Sequence, residues 1–144
     1  MPAANAKLSE YHAAVGLAAL DEWAEVRREW LAVARAYRHD LSESNRLRFQ
    51  DGFGQSWITS TCVLNLSDSS SARLENILET AGIETRRWWG NGAHTHAATA
   101  VCPRTFLPTT EALTESTIAL PFFRDITRSE QQRVIDCVLR FSKG

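Results

Sequence analysis

The sequence predicts an α+β fold, in which a small, mainly antiparallel sheet of about three strands packs with helices and a long helix comes first. Two observations support this class. Apolar residues recur at helical spacing near the N-terminus, and short alternating segments typical of half-buried strands follow, separated by helix signals. The 144 residues, 44% of them hydrophobic and 23% charged, have the composition of a globular protein. We expect one domain over residues 1–144.

A single long helix is predicted from Ser9 to about His39, with Ser9 as its N-cap. One helical face is marked at three- and four-residue steps by Tyr11, Val15, Ala18, Glu22 or Trp23, Val26, Trp30, Val33 and Tyr37. At 1.5 Å per residue this helix would be ~45 Å long. Because such a helix is longer than a small core, we expect its Ala-rich remainder, with Ala13, Ala14 and Gly16-Leu17, to face another domain or subunit.

A strand, a helix and a second strand are predicted next, after a polar connector over residues 42–55. The first strand lies within residues 56–66 and places alternate apolar side chains on one face, namely Ile58, Cys62, Leu64 and Leu66. Residues 68–71 offer helix caps, and Gly82 matches the glycine that follows a helix C-terminus. The second strand is expected from Ile83 to Trp88.

Three further elements are predicted in the last third of the chain. A short helix begins at Thr109 or Thr110, and a short strand follows over Thr117 to Leu120. A final helix is announced by the capping box of Thr127 and Glu130. Its buried face is expected to contain Val134, Ile135, Val138, Leu139 and Phe141.

Charge and cysteine usage limit the function classes. A net charge of −1 and a pI near 6.4 give no general attraction to nucleic acid or to anionic lipid. Cys62, Cys102 and Cys137 are odd in number and scattered, and no apolar run resembles a signal peptide or a bilayer span. We therefore expect a cytoplasmic protein with neither nucleic acid nor membrane as partner.

One cluster combines the residue types of a binding pocket. It consists of Arg86, Arg87, Trp88, Trp89 and, after a Gly-rich turn, His94. Guanidinium groups offer paired donors to phosphate or carboxylate, and indole rings offer flat apolar faces to a sugar or base. The alternative is structural: on a strand, neighbouring side chains point to opposite faces, so one Trp is core and one Arg is a solvated surface charge.

Two competing chemistries are weaker. His94, His96 and Cys102, with His12 or His39, supply zinc-ligand types, but their spacing fits no established finger pattern, and we assign no metal site. The Arg and Trp cluster also has the residue types that stack on single-stranded nucleic acid, although no wider basic stripe accompanies it.

Several motifs in a fixed order resemble one enzyme family. The motifs are Asn5 to Glu10 running into an Ala-rich helix, the basic-aromatic stretch ending at His94, Cys102-Pro103, residues 107–111, residues 120–122 and residues 127–130. Together they resemble the DegT/DnrJ/EryC1/StrS family of PLP-dependent sugar aminotransferases. The likeness covers residues 5–141 and corresponds to the small C-terminal domain of a fold-type I enzyme. It implies that the large PLP-binding domain is absent from this sequence.

The resemblance implies roles for particular residues. Asn5 and Lys7 match positions that assist the cofactor phosphate across a dimer. The basic-aromatic stretch borders the substrate side, with matches that include Trp88, Trp89 and His94, beside Arg86 and Arg87. Members of the family transfer an amino group, commonly from glutamate, to a keto sugar carried on a nucleotide, for surface-polysaccharide or antibiotic-sugar synthesis.

The same resemblance implies a loss of chemistry. Lys7 and Lys143, the two lysines of the sequence, match no Schiff-base position, so no catalytic residue is assigned and no PLP is expected on this chain alone. Its expected partners are a second copy in a homodimer or a separate large domain. The alternative function is a non-enzymatic remnant or a binding and oligomerisation module with a weak anion or sugar pocket. A truncated protein, a degraded gene and a separate subunit are all compatible origins.

Overall fold

The computed structural model describes residues 8–68, 70–87 and 92–144. Its helices are α1 (Glu10–Asp21), α2 (Trp23–Leu41), α3 (Ser71–Thr80), α4 (Pro108–Ser116) and α5 (Arg128–Lys143). Its strands are β1 (Leu47–Phe49), β2 (Cys62–Leu66) and β3 (Thr117–Leu120), which pair antiparallel in the order β1-β2-β3. The predicted α+β class with a three-stranded antiparallel sheet is confirmed.

The sheet differs from the prediction at its first edge. β1 lies within the stretch expected to be a polar connector, where buried Leu47 pairs with Leu66 of β2. This strand was not predicted, because three residues are too few to show an alternating pattern. β2 begins at Cys62 rather than near residue 56, because the preceding residues form turns around the buried ring of Phe53.

The predicted single long helix is interrupted at Glu22. The amide of Glu22 reaches the Ala18 carbonyl at a long 3.4 Å, and α2, with 19 residues, becomes the longest helix. The predicted apolar face is wrong for α1, since Tyr11 and Val15 are 75% and 54% exposed and α1 buries no residue. α2 is amphipathic and has five buried residues, Leu31, Val33, Ala34, Tyr37 and Leu41.

The core lies between the sheet and helices α2, α3 and α5. α5 packs against α2 and α3, and its predicted face is confirmed except that Leu139 is only partly buried. Two buried polar groups connect the layers. The Tyr37 hydroxyl donates to the Pro121 carbonyl at 2.7 Å, and the Gln131 amide donates to the Val33 carbonyl at 2.9 Å. Because both donors find acceptors, the core contains them without an unpaired polar group.

The predicted second strand forms only one bridge. Arg86 and Ala119 exchange backbone hydrogen bonds of 3.1 and 2.9 Å at the free edge of β3, and the end of the predicted strand lies outside the described residues. Gly82 follows α3 with a φ of +68°, as expected. α4 begins at Pro108, one or two residues before the predicted start at Thr109 or Thr110, because proline suits the first turn of a helix.

The helix caps follow the sequence closely. Ser9 accepts a hydrogen bond from the His12 amide, and Thr127 and Glu130 form the full capping box. At α3 the N-cap is Ser70, whose hydroxyl donates to Asp68 instead of capping the helix. Across the described ranges, no helix has the length and hydropathy that a membrane span requires.

Candidate functional site

The structure describes only some of the residues of the predicted pocket. Arg86, Arg87 and His94 are described, whereas Asn5, Lys7, Trp88 and Trp89 all lie outside the described residues. The described part of the site therefore consists of two arginines, one histidine and the helices that surround them.

Arg87 is fixed between α3 and α4. Its Nε donates to Glu75 Oε2 at 2.9 Å and its Nη1 donates to the Thr114 carbonyl at 2.9 Å. The side chain is only 26% exposed. An arginine has five N–H donors, and these two bonds leave both donors of Nη2 for a ligand.

Arg86 extends away from Arg87. Its guanidinium pairs with Glu84, and its side chain is 63% exposed. The two arginines thus follow the strand alternation that the sequence suggested, with Arg86 as the solvated one. Both still line a hollow of about 210 Å³ whose wall includes Thr110 and Ile118.

His94 sits beside Arg87 on the same side of the molecule. It belongs to a single 3₁₀ turn, Ala93–Thr95, in which the Thr95 hydroxyl donates to the Gly92 carbonyl at 2.8 Å. The His94 side chain is 12% exposed, with Nε2 at 3.8 Å from Glu111 Oε1. We call the concavity of about 490 Å³ that His94 and Arg87 both line the Arg87–His94 cleft.

Carboxylates balance the charge of this cleft. Glu75 pairs with Arg87, while Glu111 and Glu115 also line the cleft. An anion would therefore meet one neutralised guanidinium and two acidic side chains, so the geometry suits a polar, uncharged group such as a sugar hydroxyl better than a phosphate. None of these three glutamates was predicted from the sequence. Each lies on a helix outside the stretch of residues 86–94, and only the packing of that helix brings the side chain to the cleft.

Other sequence candidates do not assemble. Among the described residues no three His, Cys, Asp or Glu side chains lie close enough together to hold a metal ion, and the predicted alternative of His94, His96 and Cys102 is not such a group. Cys102 is exposed, whereas Cys62 and Cys137 are buried and free. Burial raises the pKa of the Cys62 thiol, which makes it an unreactive core residue.

Comparison with known proteins gives a consistent result. The sequence profile of the DegT/DnrJ/EryC1/StrS aminotransferase family matches residues 1–139. Three similar solved structures are a protein of Bacillus cereus ATCC 10987 described as a PLP-dependent aminotransferase (19% identity, TM-score 0.84), DesI with its TDP-sugar product (25%, 0.79) and Helicobacter pylori PseC, an aminotransferase of pseudoaminic acid biosynthesis (14%, 0.76).

The matches cover this chain almost entirely but their own chains only in part. They include 96%, 96% and 97% of the present residues, and 38%, 36% and 39% of the solved chains, in the same order. The present chain thus spans well under half the length of the enzymes it resembles. No curated protein matches the sequence.

Proposed function

Because the chain belongs to the DegT/DnrJ/EryC1/StrS aminotransferase family, we propose that it is the small C-terminal domain of a PLP-dependent nucleotide-sugar aminotransferase. The complete enzyme would transfer an amino group from an amino acid to a keto sugar carried on a nucleotide, in the cytoplasm, for polysaccharide or antibiotic-sugar synthesis. The observation that carries the proposal is the fold match over 96% of this chain to only 38% of a protein described as a PLP-dependent aminotransferase.

The described residues do not fit covalently bound PLP. A Schiff base needs a lysine within a pocket, but Lys143 is the only lysine that the structure describes, and it is exposed at the end of α5. We therefore propose that the chain alone forms no Schiff base and transfers no amino group. Asn5 and Lys7 would assist the cofactor phosphate only when a second subunit supplies the rest of the site.

The substrate side of the proposal rests on the Arg87–His94 cleft. Arg87 is held by Glu75 and by the Thr114 carbonyl, so its free Nη2 has a fixed direction. His94 and Glu111 offer further polar groups on the same wall. We propose that these groups, together with Arg86, Trp88 and Trp89, border the sugar rather than the phosphates of the substrate.

The exposed helix α1 supports the need for a partner. Its large apolar side chains are solvent-exposed, namely Tyr11, Val15, Leu17 and Leu20, and Leu8 just before the helix is 72% exposed. Apolar residues occur all around this helix, which is typical of a helix buried on more than one side. We propose that the remainder of the aminotransferase covers α1, and that the isolated chain self-associates as a dimer.

Three measurements test the proposal. First, the coding DNA upstream of residue 1 should encode a large domain with a suitable lysine, and co-expression with it should give amino transfer from glutamate to a nucleotide keto sugar.

Second, borohydride reduction of the chain alone with PLP should leave no pyridoxyl adduct by mass spectrometry. Third, sedimentation should detect a dimer that L17E/L20E dissociates. A stoichiometric adduct on Lys7 or Lys143, or amino transfer by the chain alone, contradicts the inactive reading.

One observation favours the alternative of a non-enzymatic binding module. The hydrophobic core of this chain is closed without any other domain, with residues such as Leu64, Ile118 and Val138 at most 1% exposed. A separately folded module could therefore bind a nucleotide sugar in the Arg87–His94 cleft. Calorimetric titration with UDP-sugars distinguishes the two: saturable binding that R87Q and H94A both weaken supports the module, and no binding supports the partial enzyme.

A further inference from the structure

We propose that the chain contains a phosphate-binding site on the face formed by α2, β1 and the loop between β1 and β2, separate from the Arg87–His94 cleft. The site consists of two adjoining hollows of about 420 and 320 Å³, which share Arg38, Ser42 and Gln55. Arg48 of β1 lines the first hollow and Arg35 of α2 lines the second. Three arginines thus line the two adjoining hollows, from two elements that are separated in sequence.

The loop that forms one wall is firmly held. Phe53 is 1% exposed and stacks on Phe49 with ring centroids 4.9 Å apart, and the Trp57 indole donates to the Asp51 carbonyl at 2.7 Å. Gly54 has a φ of +69°, and a Cβ there would lie 3.2 Å from the Ala34 carbonyl carbon of α2. The loop therefore lies directly against the helix, in a position that only glycine accepts without strain.

This wall orients two of the arginines. Arg38 Nη1 donates to the Phe53 carbonyl at 3.0 Å, and Arg35 Nε makes a longer contact of 3.4 Å with the Gly54 carbonyl. Each of these contacts uses one N–H group and leaves others of the same guanidinium free to bind a ligand. Fixing the guanidinium in advance lowers the entropy lost when an anion binds.

The three guanidiniums also lack counter-ions. Within the described ranges, Arg35, Arg38 and Arg48 make no ion pair, whereas Arg46, Arg87 and other arginines of the fold do. The residues outside those ranges include no Asp or Glu that could supply one. Asp51 is the carboxylate residue that lines the first hollow, so three positive charges face one negative charge.

A simpler explanation of one of these three charges, that of Arg38, is the helix dipole. Arg38 and His39 lie in the last turn of α2, where positive side chains offset the partial negative charge of the helix end. This does not account for the arrangement, because Arg38 bonds to the loop and not to the last helical carbonyls. It also leaves out Arg48, which lies on β1.

The number of donors indicates phosphate rather than carboxylate. A carboxylate is matched by one guanidinium fork, while a phosphate or diphosphate has enough oxygens for several forks. The Gln55 amide adds neutral donors, whereas the Ser42 hydroxyl already donates its proton to the His39 carbonyl at 2.9 Å. Two adjoining hollows suit two linked phosphate groups, as in a diphosphate ester.

The test is calorimetric titration of the intact chain with three ligands, inorganic phosphate, diphosphate and ADP, at low salt. We expect saturable binding, with diphosphate tighter than phosphate. Arg35→Gln and Arg48→Gln should each weaken diphosphate binding by about fivefold or more, since each removes a charged donor. Arg27→Gln is the matched control, because Arg27 is an exposed arginine of α2 outside the hollows, and it should change the affinity by less than about twofold.

Arg38 needs a separate variant, since its loss could loosen the loop. Arg38→Lys keeps the positive charge but removes the paired N–H donors of the guanidinium. It should weaken binding while leaving the midpoint of thermal unfolding unchanged. ADP binding equal to diphosphate indicates a site for phosphate groups alone, and tighter ADP binding indicates a nucleotide. No saturable binding of any ligand, or an equal loss in Arg27→Gln, overturns the proposal. Either result leaves the aminotransferase assignment untouched.

Discussion

Helices α1 and α5 start alike and are used differently. Each begins at a hydroxyl residue that accepts a backbone amide, Ser9 for α1 and Thr127 for α5. α5 nevertheless buries six residues in the core, whereas α1 buries none. The local signals that form a helix are thus the same in both, and the distribution of apolar side chains around the axis separates them.

The two helices differ in how their apolar residues are distributed around the helix axis. The apolar residues of α5 occupy one face, so one surface of the same chain covers them. The apolar residues of α1 surround the axis, and none of them is buried by the described part of this chain. The amphipathic helix α5 therefore completes the core, and the apolar helix α1 is the place where we propose that a partner binds.

Core truncation should show the largest contrast. Ile135→Ala removes a fully buried side chain of α5 and should lower the free energy of unfolding by about 3 kcal/mol, through lost transfer energy and a residual cavity. Leu17→Ala in α1, where the side chain is 63% exposed, should change it by less than about 0.5 kcal/mol. Urea unfolding at a concentration where the chain is monomeric measures both. Equal losses would mean that α1 belongs to the core.

A buried hydroxyl gives the next contrast. Tyr37→Phe removes the hydrogen bond to the Pro121 carbonyl and should cost about 1 to 2 kcal/mol, since the acceptor is left without its partner. Tyr11→Phe in α1 is the matched control, because Tyr11 is 75% exposed, and no measurable change is expected. Chemical denaturation of the two variants side by side decides the matter; a loss in Tyr11→Phe of similar size would contradict the comparison.

Removal of the caps should have a smaller effect. Thr127→Ala removes the hydroxyl half of the capping box, while the amide of residue 127 can still donate to Glu130, and should lower the free energy of unfolding by about 1 kcal/mol. Ser9→Ala should reduce helical circular dichroism without moving the urea midpoint, because α1 frays independently of the core. A shifted midpoint in Ser9→Ala would show that the two helices unfold together.

The pH dependence of stability is the finest of these tests. Hydrogen bonds from the Thr127 hydroxyl and amide lower the pKa of Glu130 from its ordinary value of 4.5. A lowered folded pKa means that the stabilisation is complete above pH 4.5 and is lost as the pH falls through the folded value. The urea midpoint should therefore fall less between pH 5 and pH 3 in Thr127→Ala than in the unchanged chain. An identical pH profile would show that the Thr127 hydroxyl does not perturb Glu130.

Much of the fold could be predicted because its signals are local. Gly82 after α3, the capping box of α5 and the β3 strand all follow from residues within a few positions of one another. β1 could not be predicted, because its three residues acquire their role only by pairing with β2. The break at Glu22 was also hidden, since both flanking stretches favour helix.

The candidate site was predictable only in part for the same reason. The sequence marked Arg87 and His94 by their neighbours along the chain. It did not show that Glu75 would pair with Arg87 or that Glu111 would lie beside His94, because those glutamates belong to α3 and α4. Nor did it show that Arg48 would join Arg35 beside one loop.

The sequence by itself determined the fold class, the family resemblance and the N-terminal ends of the best-capped helices. These depend on residue identity and short-range spacing, which a chain carries before it folds. The tertiary structure alone decided which apolar face is covered, which arginines are paired with carboxylates and which are left free. Those outcomes depend on contacts between residues far apart in sequence, whose partners are fixed only when the sheet and the helices pack together.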